Sequence, residues 1–402
     1  MNKKQRIAIN ALGSRNWIGG IQYTQNLVLA LAQLPEEVRK QYEIILIGSQ
    51  SKINFLEDLE KSVDQILSEN DFQAINFKEK LQWKLIRLFF DKAQQKFEEI
   101  LIQREGIDFI YPYLPPKKRI KNYRSATWIF DFQHKYLPDF FKEAEIKGRD
   151  QNFANIASKA STVVLSSKTA EKDFWKFFPN SQAQTEVLQF KTFPNREWYE
   201  PNPVEIQKKY YLPNKFFLIS NQFWQHKNHL VVFEALQRLK SQSIEPIVVC
   251  TGYFYDYRKP EYIDQVLETI HCSGLAHQVY LLGLIDRLDQ IQLMRRSIAL
   301  IQPSLFEGWS TVIEDARCLG KPVIMSDLEV NIEQNPPRNQ VFERHSSESL
   351  APIIADWWEK LLPGPDYEKE KQARENNLVE VQKFGYRFLD IAQNAKSDEK
   401  MK

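Results

Sequence analysis

The sequence predicts an α/β protein with parallel sheets, arranged in two halves. Short apolar runs typical of strands alternate with longer runs that have the apolar spacing of helices, most regularly in the second half. Parallel strands need a crossover connection, which a helix supplies, so the alternation favours parallel pairing. Between Pro194 and Pro213 the periodicity stops and four prolines accumulate. We therefore place a linker at residues 191–214, between domains at residues 1–190 and 215–375.

Composition indicates a globular protein and argues against several other classes. The 402 residues are 43% hydrophobic, enough for two cores of ordinary size. The 54 basic and 52 acidic side chains nearly cancel, so charge gives no reason to expect a nucleic-acid partner. Cys250, Cys272 and Cys318 form no CxxC pair, which predicts buried thiols in a reducing cytoplasm. No apolar run approaches the ~20 residues that cross a bilayer, so we expect a cytoplasmic protein with at most peripheral membrane contact.

The first half opens with a strand at 6–12, a glycine-rich loop at 13–20 and a helix with helical apolar spacing. The further elements predicted for this half are a strand at 42–48, a helix at 78–106, strands at 107–113 and 125–132, a strand and helix at 162–178, and a strand at 185–190. The helix at 78–106 carries an apolar stripe. We assign the stripe to the core, because helices ordinarily bury such a stripe within the protein; the alternative is a basic amphipathic helix on a membrane.

The second half repeats a strand followed by a helix. The predicted strands are 215–220, 246–252, 279–283, 298–304 and 322–327, and the predicted helices start near 229 and lie within 260–274, 288–297, 311–320 and 367–396. Ligands of such sheets bind at the carboxyl ends of the strands, so the loops that follow strands carry the informative residues.

The most informative stretch runs from Ile298 to Asp327, IALIQPSLFEGWSTVIEDARCLGKPVIMSD. Glu307 and Glu314 bracket its turn from loop to helix. Backbone N–H groups of the intervening residues would face an anion docked at the helix start, those of Gly308, Trp309, Ser310 and Thr311.

Glu314 has a structural alternative that Glu307 lacks. Thr311 followed by Glu314 fits a capping box, in which each side chain satisfies a free backbone N–H of the other. Glu307 follows an apolar run and has no comparable folding role. We therefore predict a functional role for Glu307, whereas Glu314 could serve either purpose.

Sugar transfer from a nucleoside diphosphate is the chemistry that needs this arrangement. The departing diphosphate gains negative charge, which a helix N-terminus and backbone N–H groups stabilise without a metal. One carboxylate can hold sugar hydroxyls and favour cationic character at the anomeric carbon. Another can bind the ribose hydroxyls, as acidic residues do in other nucleotide sites.

A second candidate cluster lies at the first strand-to-helix junction of the second half, in ISNQFWQHKNHL. Lys227 precedes Asn228, a predicted helix N-cap, so an ammonium and a positive helix end would act on the same diphosphate. The alternative is a solvated lysine with His226 and His229 packed nearby. The two histidines lack further ligands at a recognisable spacing, so we predict no metal site.

The second half resembles the retaining glycosyltransferases of family four in three segments, NQFWQHKNH, VYLLGLIDRLDQIQLMRRS and SLFEGWSTVIEDARCLGKPVIMSD. The resemblance is weaker before Phe216. It implies the GT-B fold, in which two Rossmann-like domains face a central cleft, the first binding the acceptor and the second the nucleotide-sugar. We also expect residues 376–402 to return to the first domain as a C-terminal helix with a frayed tail.

The resemblance assigns roles to individual residues. Glu307, the first acidic residue of the motif, would contact the donor sugar, and Glu314, the second, the ribose. The family's basic pair for the diphosphate maps onto Gln222 and Lys227.

Two departures from the family pattern affect these assignments. The loop between the two glutamates is one residue shorter than in the family. Gln222 stands where the family commonly has arginine. Lys227 would then bind the diphosphate mainly with backbone N–H groups, and Asn221 or His226 would contribute.

The first half adds two candidates through the same resemblance. WIGGIQYTQNL is similar to the family's glycine-rich loop, in which Gly19 and Gly20 would let the backbone approach donor phosphates or acceptor; the alternative is an ordinary tight turn. FDFQHKYLPDFF is similar to the segment that carries an active-site histidine after a strand, here His134. A lone histidine is otherwise more often structural.

We therefore expect a metal-independent, retaining glycosyltransferase without a cofactor. It would move a hexose-type sugar from a GDP-, UDP- or ADP-sugar to a glycan or lipid-linked acceptor of the cell envelope. The basic residues at 117–124 would favour an anionic membrane surface if the acceptor is lipid-linked. Two alternatives stay open: a GT-B protein that binds nucleotide or glycan without turnover, as a partner or scaffold, and a nucleotide-sugar epimerase of the same architecture.

Overall fold

The chain is divided into two compact units. The computed structural model describes residues 3–14, 17–68, 102, 104–113 and 123–396. The first unit comprises residues 1–131, 148–191 and 380–402, and the second comprises residues 132–147 and 192–379. Most of the predicted helix at 78–106, and the basic residues at 117–121, lie outside the described residues.

The described strands are short, and six of the fourteen are buried at every residue. They are β1 (Gln5–Asn10), β2 (Tyr42–Gly48), β3 (Gln65–Ser68), β4 (Phe109–Tyr111), β5 (Arg124–Ser125), β6 (Thr127–Ile129), β7 (Thr162–Leu165), β8 (Gln184–Val187), β9 (Phe217–Ser220), β10 (Val248–Thr251), β11 (Val279–Gly283), β12 (Leu300–Gln302), β13 (Val323–Ser326) and β14 (Asn339–Phe342).

Helices separate most of these strands. They are α1 (Ile18–Ala32), α2 (Glu36–Arg39), α3 (Gln50–Ile53), α4 (Gln133–Tyr136), α5 (Glu143–Lys159), α6 (Lys168–Phe177), α7 (Pro203–Lys209), α8 (His229–Lys240), α9 (Tyr262–Cys272), α10 (Arg287–Arg296), α11 (Thr311–Cys318), α12 (Glu329–Gln334), α13 (Ser347–Lys360) and α14 (Tyr367–Asn394).

The first unit contains two parallel sheets. Their strand orders are β3-β2-β1-β4-β5 and β6-β7-β8, and every neighbouring pair is parallel. Helix α1 packs its predicted apolar positions inward, with Leu27 and Leu31 buried. The end of α14 belongs to this unit, where the Phe388 ring lies 6.0 Å from Phe109 and 5.4 Å from Tyr111. The chain therefore returns to its first unit, as predicted.

The second unit is built on one parallel sheet with the order β11-β10-β9-β12-β13-β14. After β9 the chain adds strands on one side, and from β12 onward it adds them on the other. The chain reverses its direction of strand addition between β9 and β12, which are neighbours in the sheet, and the loops after these two strands flank the point of reversal. Such a switch point is where open α/β sheets bind ligands.

Both faces of this sheet are covered, which explains its continuous apolar strands. In β9, Phe217 and Ile219 pack into a cluster with α8, α9 and α13. Leu218 points to the opposite face and packs with α10 and α11. The alternation follows from the two-residue period of a strand, so burial on both faces needs apolar residues at every position.

Some elements differ from the sequence-based expectation. Helix α1 begins at Ile18, so the glycine pair expected in a loop lies in its first turn. The stretch expected to be a linker contains α7, and Lys209 Nζ and Tyr210 Oη lie 2.6 and 2.7 Å from Asp289 Oδ2 of α10. Helices α5 and α13 and strand β14 were not predicted. Helix α5 has a narrow buried stripe, α13 contains a proline, and β14 exposes its central residues.

Candidate active site

Two loops of the second unit meet where β9 and β12 are neighbours. The β9–α8 loop comprises residues 221–228, and the β12–α11 loop comprises residues 303–310. Lys227 Nζ lies 2.6 Å from Glu307 Oε1. The backbone N–H of Leu305 donates to the carbonyl of His226 at 2.7 Å and joins the loops a second time. The structure thus brings together the two residues on which the sequence argument depends most.

Buried amides fix the position of the Glu307 carboxylate. Asn221 Nδ2 donates to Gln302 Oε1 at 3.0 Å, and Gln302 Nε2 donates to Glu307 Oε1 at 2.8 Å. Gln302 is fully buried, while the side chains of Glu307 and Lys227 are 9% and 19% exposed. Asn221, for which we expect a contribution to diphosphate binding, is the first member of this series of hydrogen bonds. Glu307 is therefore preorganised, and Lys227 is its most accessible partner.

The place of Asn221 depends on a glycine at the end of the neighbouring strand. Gly252 follows β10 with φ +135°, a conformation that L side chains rarely adopt. A Cβ at this position would overlap the Asn221 carbonyl oxygen. Glycine is therefore required for the β10 end to approach the start of the β9–α8 loop.

The start of helix α11 differs from the predicted capping box. The N-cap is Ser310, whose Oγ accepts a hydrogen bond from Ile313 N at 3.3 Å. Thr311 was expected to be the cap, and it is the first helical residue instead. In this register Ile313 occupies the third helical position, so Glu314 is not the partner that a capping box requires. That part of the prediction is wrong, because the extended backbone of Ser310 places the cap one residue earlier.

Glu314 is closed off from solvent. It is 0% exposed, and Oε1 accepts from Gln334 Nε2 at 3.0 Å. Arg317 Nε lies 3.3 Å from Oε2. A ribose hydroxyl could bond to this carboxylate only by displacing one of these partners or by reaching it through the Ser310–Thr311 turn.

Two histidines under Lys227 are neutral near pH 7. Burial, with the positive charges of Lys227 and Arg258, holds the pKa of His226 well below its usual value. His229 stacks on Phe223 with ring centroids 4.1 Å apart, and burial lowers its pKa to about 3. The rings therefore pack as apolar groups beneath the loop.

Asn228 and Gln222 each make a hydrogen bond that shapes the β9–α8 loop. Asn228 stands at the N-cap position of α8 in the left-handed conformation, with φ 55°, and its Nδ2 donates to the Arg344 carbonyl at 2.9 Å. It therefore does not cap the helix with its side chain. The Gln222 carbonyl accepts from Trp224 N at 2.8 Å and tightens the turn before Lys227.

His134 lies in a segment that the contact pattern assigns to the second unit, residues 132–147. It is buried on α4, with its ring centroid 6.3 Å from that of Phe141. Neighbouring residues contact the β12–α11 loop and the loop that follows β10. Tyr136 stacks on Phe306 at 5.7 Å, and Gln133 Oε1 accepts from Arg258 at 3.3 Å.

Arg258 is a site component that sequence reasoning missed. Its guanidinium carbon lies 4.1 Å from the Phe141 ring centroid and 4.5 Å from that of Trp224. Asp256 Oδ2 accepts from Gln225 N at 3.0 Å and joins the loop after β10, which carries Arg258, to the β9–α8 loop. Arg258 therefore holds the His134 segment against the loop of Lys227. The sequence signal was an arginine among aromatic residues directly after a predicted strand.

In the first unit, the two candidate glycines have different surroundings. A Cβ at Gly20 would lie 2.7 Å from Gly13 N, so close backbone packing explains this glycine. Gly19 is exposed, and a Cβ there would make an ordinary contact with Trp17 at 3.7 Å. Of the pair, Gly20 has a structural reason to be glycine, and Gly19 leaves open backbone at the helix start.

The described residues show neither a metal-binding cluster nor a membrane-spanning helix. No group of three or more His, Cys, Asp and Glu side chains there could hold a metal ion. No helix within the same ranges is long and apolar enough to cross a membrane.

The second unit matches a known protein family over most of its length. Residues 205–377 match the family model described as Glycosyl transferases group 1. The match covers both site loops and helices α11 and α12, and it confirms the predicted enzyme class, a glycosyltransferase. No curated protein matches the sequence significantly.

Solved structures of glycosyltransferases share the fold over nearly the whole chain. Anabaena Alr3699/HepE in complex with UDP and glucose is 15% identical, with 97% of this chain and 99% of that chain covered and a TM-score of 0.64. A glycosyltransferase from Rickettsia africae is 17% identical, with 98% of each chain covered and a TM-score of 0.63. WaaG, a glycosyltransferase involved in lipopolysaccharide biosynthesis, is 13% identical, with coverage of 97% and 100% and a TM-score of 0.60. The predicted GT-B fold is confirmed.

Proposed function

We propose that this glycosyltransferase is a metal-independent, retaining enzyme that transfers a hexose-type sugar from a nucleoside diphosphate sugar to a glycan or lipid-linked acceptor of the cell envelope. The observation that carries the proposal is the Lys227–Glu307 contact of 2.6 Å at the switch point of the second unit. It places a cation and a carboxylate beside the start of helix α11.

The charges of the site suit a departing diphosphate. Lys227 and the N-terminus of α11 are both positive, and both would offset the negative charge of a diphosphate bound near them. In the present structure Lys227 neutralises Glu307. A bound diphosphate would take over the ammonium and leave Glu307 to accept hydrogen bonds from sugar hydroxyls. The amide of Gln302 would keep Glu307 in place during that exchange.

The remaining candidates take supporting roles in this proposal. As the sugar leaves, the bond from its anomeric carbon to the diphosphate breaks, the acceptor hydroxyl oxygen bonds to that carbon, and the hydroxyl proton passes to the departing diphosphate. Glu307 favours the positive charge that develops on the sugar ring. His134, held near the site loops by its segment, contacts the sugar, and Gly19 offers open backbone in the acceptor domain.

The ligands and the role of proteins with similar structures support the proposed donor and acceptor classes. The Anabaena protein was solved with UDP and with UDP-glucose, which favours a UDP-sugar among the nucleotide-sugars considered. The role of WaaG in lipopolysaccharide biosynthesis supports an envelope acceptor. Metal independence and retention rest on the family resemblance and on the ability of Lys227 and α11 to offset the diphosphate charge.

The proposal is tested first by binding and then by turnover. UDP, GDP and ADP are screened by thermal shift, because a ligand of the folded state raises its melting temperature. The matching nucleotide-sugars are then incubated with and without a lipid-linked or glycan acceptor, each in the presence and absence of EDTA, and the products are identified by mass spectrometry and NMR. We expect acceptor-dependent transfer with the anomeric configuration kept.

Other results would overturn the proposal. Binding without transfer or hydrolysis would indicate a binding partner. A change in the nucleotide-sugar without an acceptor would indicate an epimerase, and loss of activity with EDTA would contradict metal independence.

A further inference from the structure

Helix α12 supplies a residue that touches both the backbone and the carboxylate at the start of α11. Gln334 Oε1 accepts from Ser310 N at 2.9 Å, and Gln334 Nε2 donates to Ser310 O at 2.9 Å. The same Nε2 donates to Glu314 Oε1 at 3.0 Å. One side-chain amide therefore bonds to both the N–H and the C=O of Ser310 and also to the Glu314 carboxylate.

These contacts are sealed from water. Ser310, Glu314 and Gln334 are all at most 3% exposed. Arg317, which pairs with Glu314, also donates to the Gln334 carbonyl. Because hydrogen bonds in such surroundings cannot be replaced by solvent, removing one partner leaves buried groups unsatisfied.

A glutamine is the residue type that fits this position. Its amide offers an acceptor and a two-hydrogen donor in one plane, which matches the N–H and C=O of Ser310 together with a carboxylate oxygen. Glutamate would keep the acceptor for Ser310 N, but it would lose both donations and would place a second carboxylate beside Glu314.

The neighbouring turn of α12 supports the other end of the β12–α11 loop. Asn331 Nδ2 donates to Ser326 O and Oγ, each at 3.1 Å. Ser326 Oγ donates to the Ser304 carbonyl at 2.6 Å. Asn331 and Gln334, three residues apart on one helix, thus fix the two ends of the loop that carries Glu307.

We propose that Gln334 is a positioning residue for nucleotide binding, which sets the Ser310 peptide at the α11 start and the Glu314 carboxylate for the diphosphate and ribose of the sugar donor. The inference rests on the proposed function for its ligand. Gln334 itself touches no substrate and acts through Ser310 and Glu314.

The test compares Gln334→Glu, which is isosteric, with Gln340→Ala, an exposed glutamine of β14. Affinities for UDP and 2′-deoxy-UDP are measured by calorimetry, or for the guanosine or adenosine pair if the thermal screen selects it. We expect Gln334→Glu to weaken nucleotide binding about tenfold, as for loss of hydrogen bonds at a charged group, and to reduce the preference for ribose over deoxyribose. Gln340→Ala should match the unchanged protein in both measurements.

Hydrogen–deuterium exchange without ligand separates positioning from general weakening. We expect Gln334→Glu to speed exchange in peptides that cover residues 303–314, while peptides of β9 and β10 stay protected. Unchanged nucleotide affinity in a folded Gln334→Glu protein, or exchange that rises equally throughout the second unit, would overturn the inference.

The controls keep the two proposals apart. If the unchanged protein binds none of the three diphosphates, the proposed function fails, and the exchange pattern alone decides whether Gln334 positions the loop. If the unchanged protein binds UDP without preferring ribose, Glu314 does not contact the ribose. The effect of Gln334→Glu on UDP affinity then decides the inference.

Discussion

The two carboxylates at the start of helix α11, those of Glu307 and Glu314, differ in the exposure of the partners that hold them. Glu307 lies in a loop, and its charged partner Lys227 is 19% exposed on a second loop. Glu314 lies within the helix at 0% exposure, and its partners are Gln334 of α12 and Arg317 one helical turn away.

The difference shows how one site combines exchange with rigidity. A partner on an accessible loop can be given up to an incoming anion at small cost, because water and ligand can replace it. Partners inside the core cannot, since each would leave an unsatisfied group behind. We therefore read the Glu307 side as the part that responds to ligand and the Glu314 side as the frame that holds it.

The largest effect is expected from Glu307→Gln. The amide keeps the shape of the side chain but removes the negative charge that we assign to sugar-hydroxyl binding and charge stabilisation. We expect kcat to fall by about 10²–10³-fold, with a change of about 1 kcal/mol or less in the free energy of unfolding. Steady-state kinetics and urea unfolding measure both quantities.

Glu314→Gln is the matched comparison for that variant. It should lose more stability and less kcat than Glu307→Gln, because its carboxylate is part of the frame. Equal falls in kcat for the two variants would remove the distinction between them.

Lys227→Ala should have the next largest effect. Loss of one preorganised cation at the diphosphate should cost about 2–4 kcal/mol of transition-state stabilisation, measured as kcat/KM for the sugar donor. Lys208→Ala, at an exposed lysine of α7, controls for the change in net charge. A kcat/KM for Lys227→Ala within twofold of that control would place the diphosphate elsewhere.

Acid should weaken the packing beneath Lys227. His229 has a pKa of about 3 in the folded protein against 6.5 for the free side chain, so the unfolded chain binds the proton first. Its contribution to stability is complete above pH 6.5 and is lost as the pH falls toward 3, with about 2 kcal/mol lost at pH 5.

The variant His229→Phe isolates this effect. Phenylalanine keeps an aromatic ring stacked on Phe223 but cannot be protonated. Urea unfolding at pH 7 and pH 5 should therefore show a smaller loss of stability in the variant. The same loss in both proteins would mean that His229 does not set the acid sensitivity.

The smallest effect is expected from Arg258→Lys. The positive charge remains, but the planar group between Phe141 and Trp224 is lost. We expect a cost of about 1 kcal/mol, seen as a fall of about fivefold in kcat/KM, because the His134 segment is held less firmly. Lys259→Ala serves as the neighbouring control, and a fall of the same size there would assign the effect to loop charge alone.

The sequence predicted those parts of the site that stand directly after apolar strands. Lys227 and Glu307 follow the buried runs of β9 and β12, and two parallel strands place such loops at one edge. The adjacency of those two strands depends on strand order, which local periodicity does not encode and which the family resemblance supplied. The fold was therefore more predictable than the contacts of any one side chain.

The parts that were missed depend on contacts between distant segments. Gln334 contacts Ser310 across 24 positions of the sequence, and the helix that carries it, α12, is only six residues long. Arg258 contacts Phe141 from a loop rich in tyrosine. The sequence offers both Ser310 and Thr311 as caps, since both residue types cap helices, and the extended backbone of Ser310 makes it the N-cap.

Gly252 affects the position of residues outside its own turn. A side chain there would push on the Asn221 carbonyl, and Asn221 begins the amide chain that ends at Glu307. The orientation of the Glu307 carboxylate thus depends partly on a residue that has no side chain and lies on a different loop. In a random mutant library, substitutions at this glycine should therefore appear among variants that are made and folded but silent in sugar transfer.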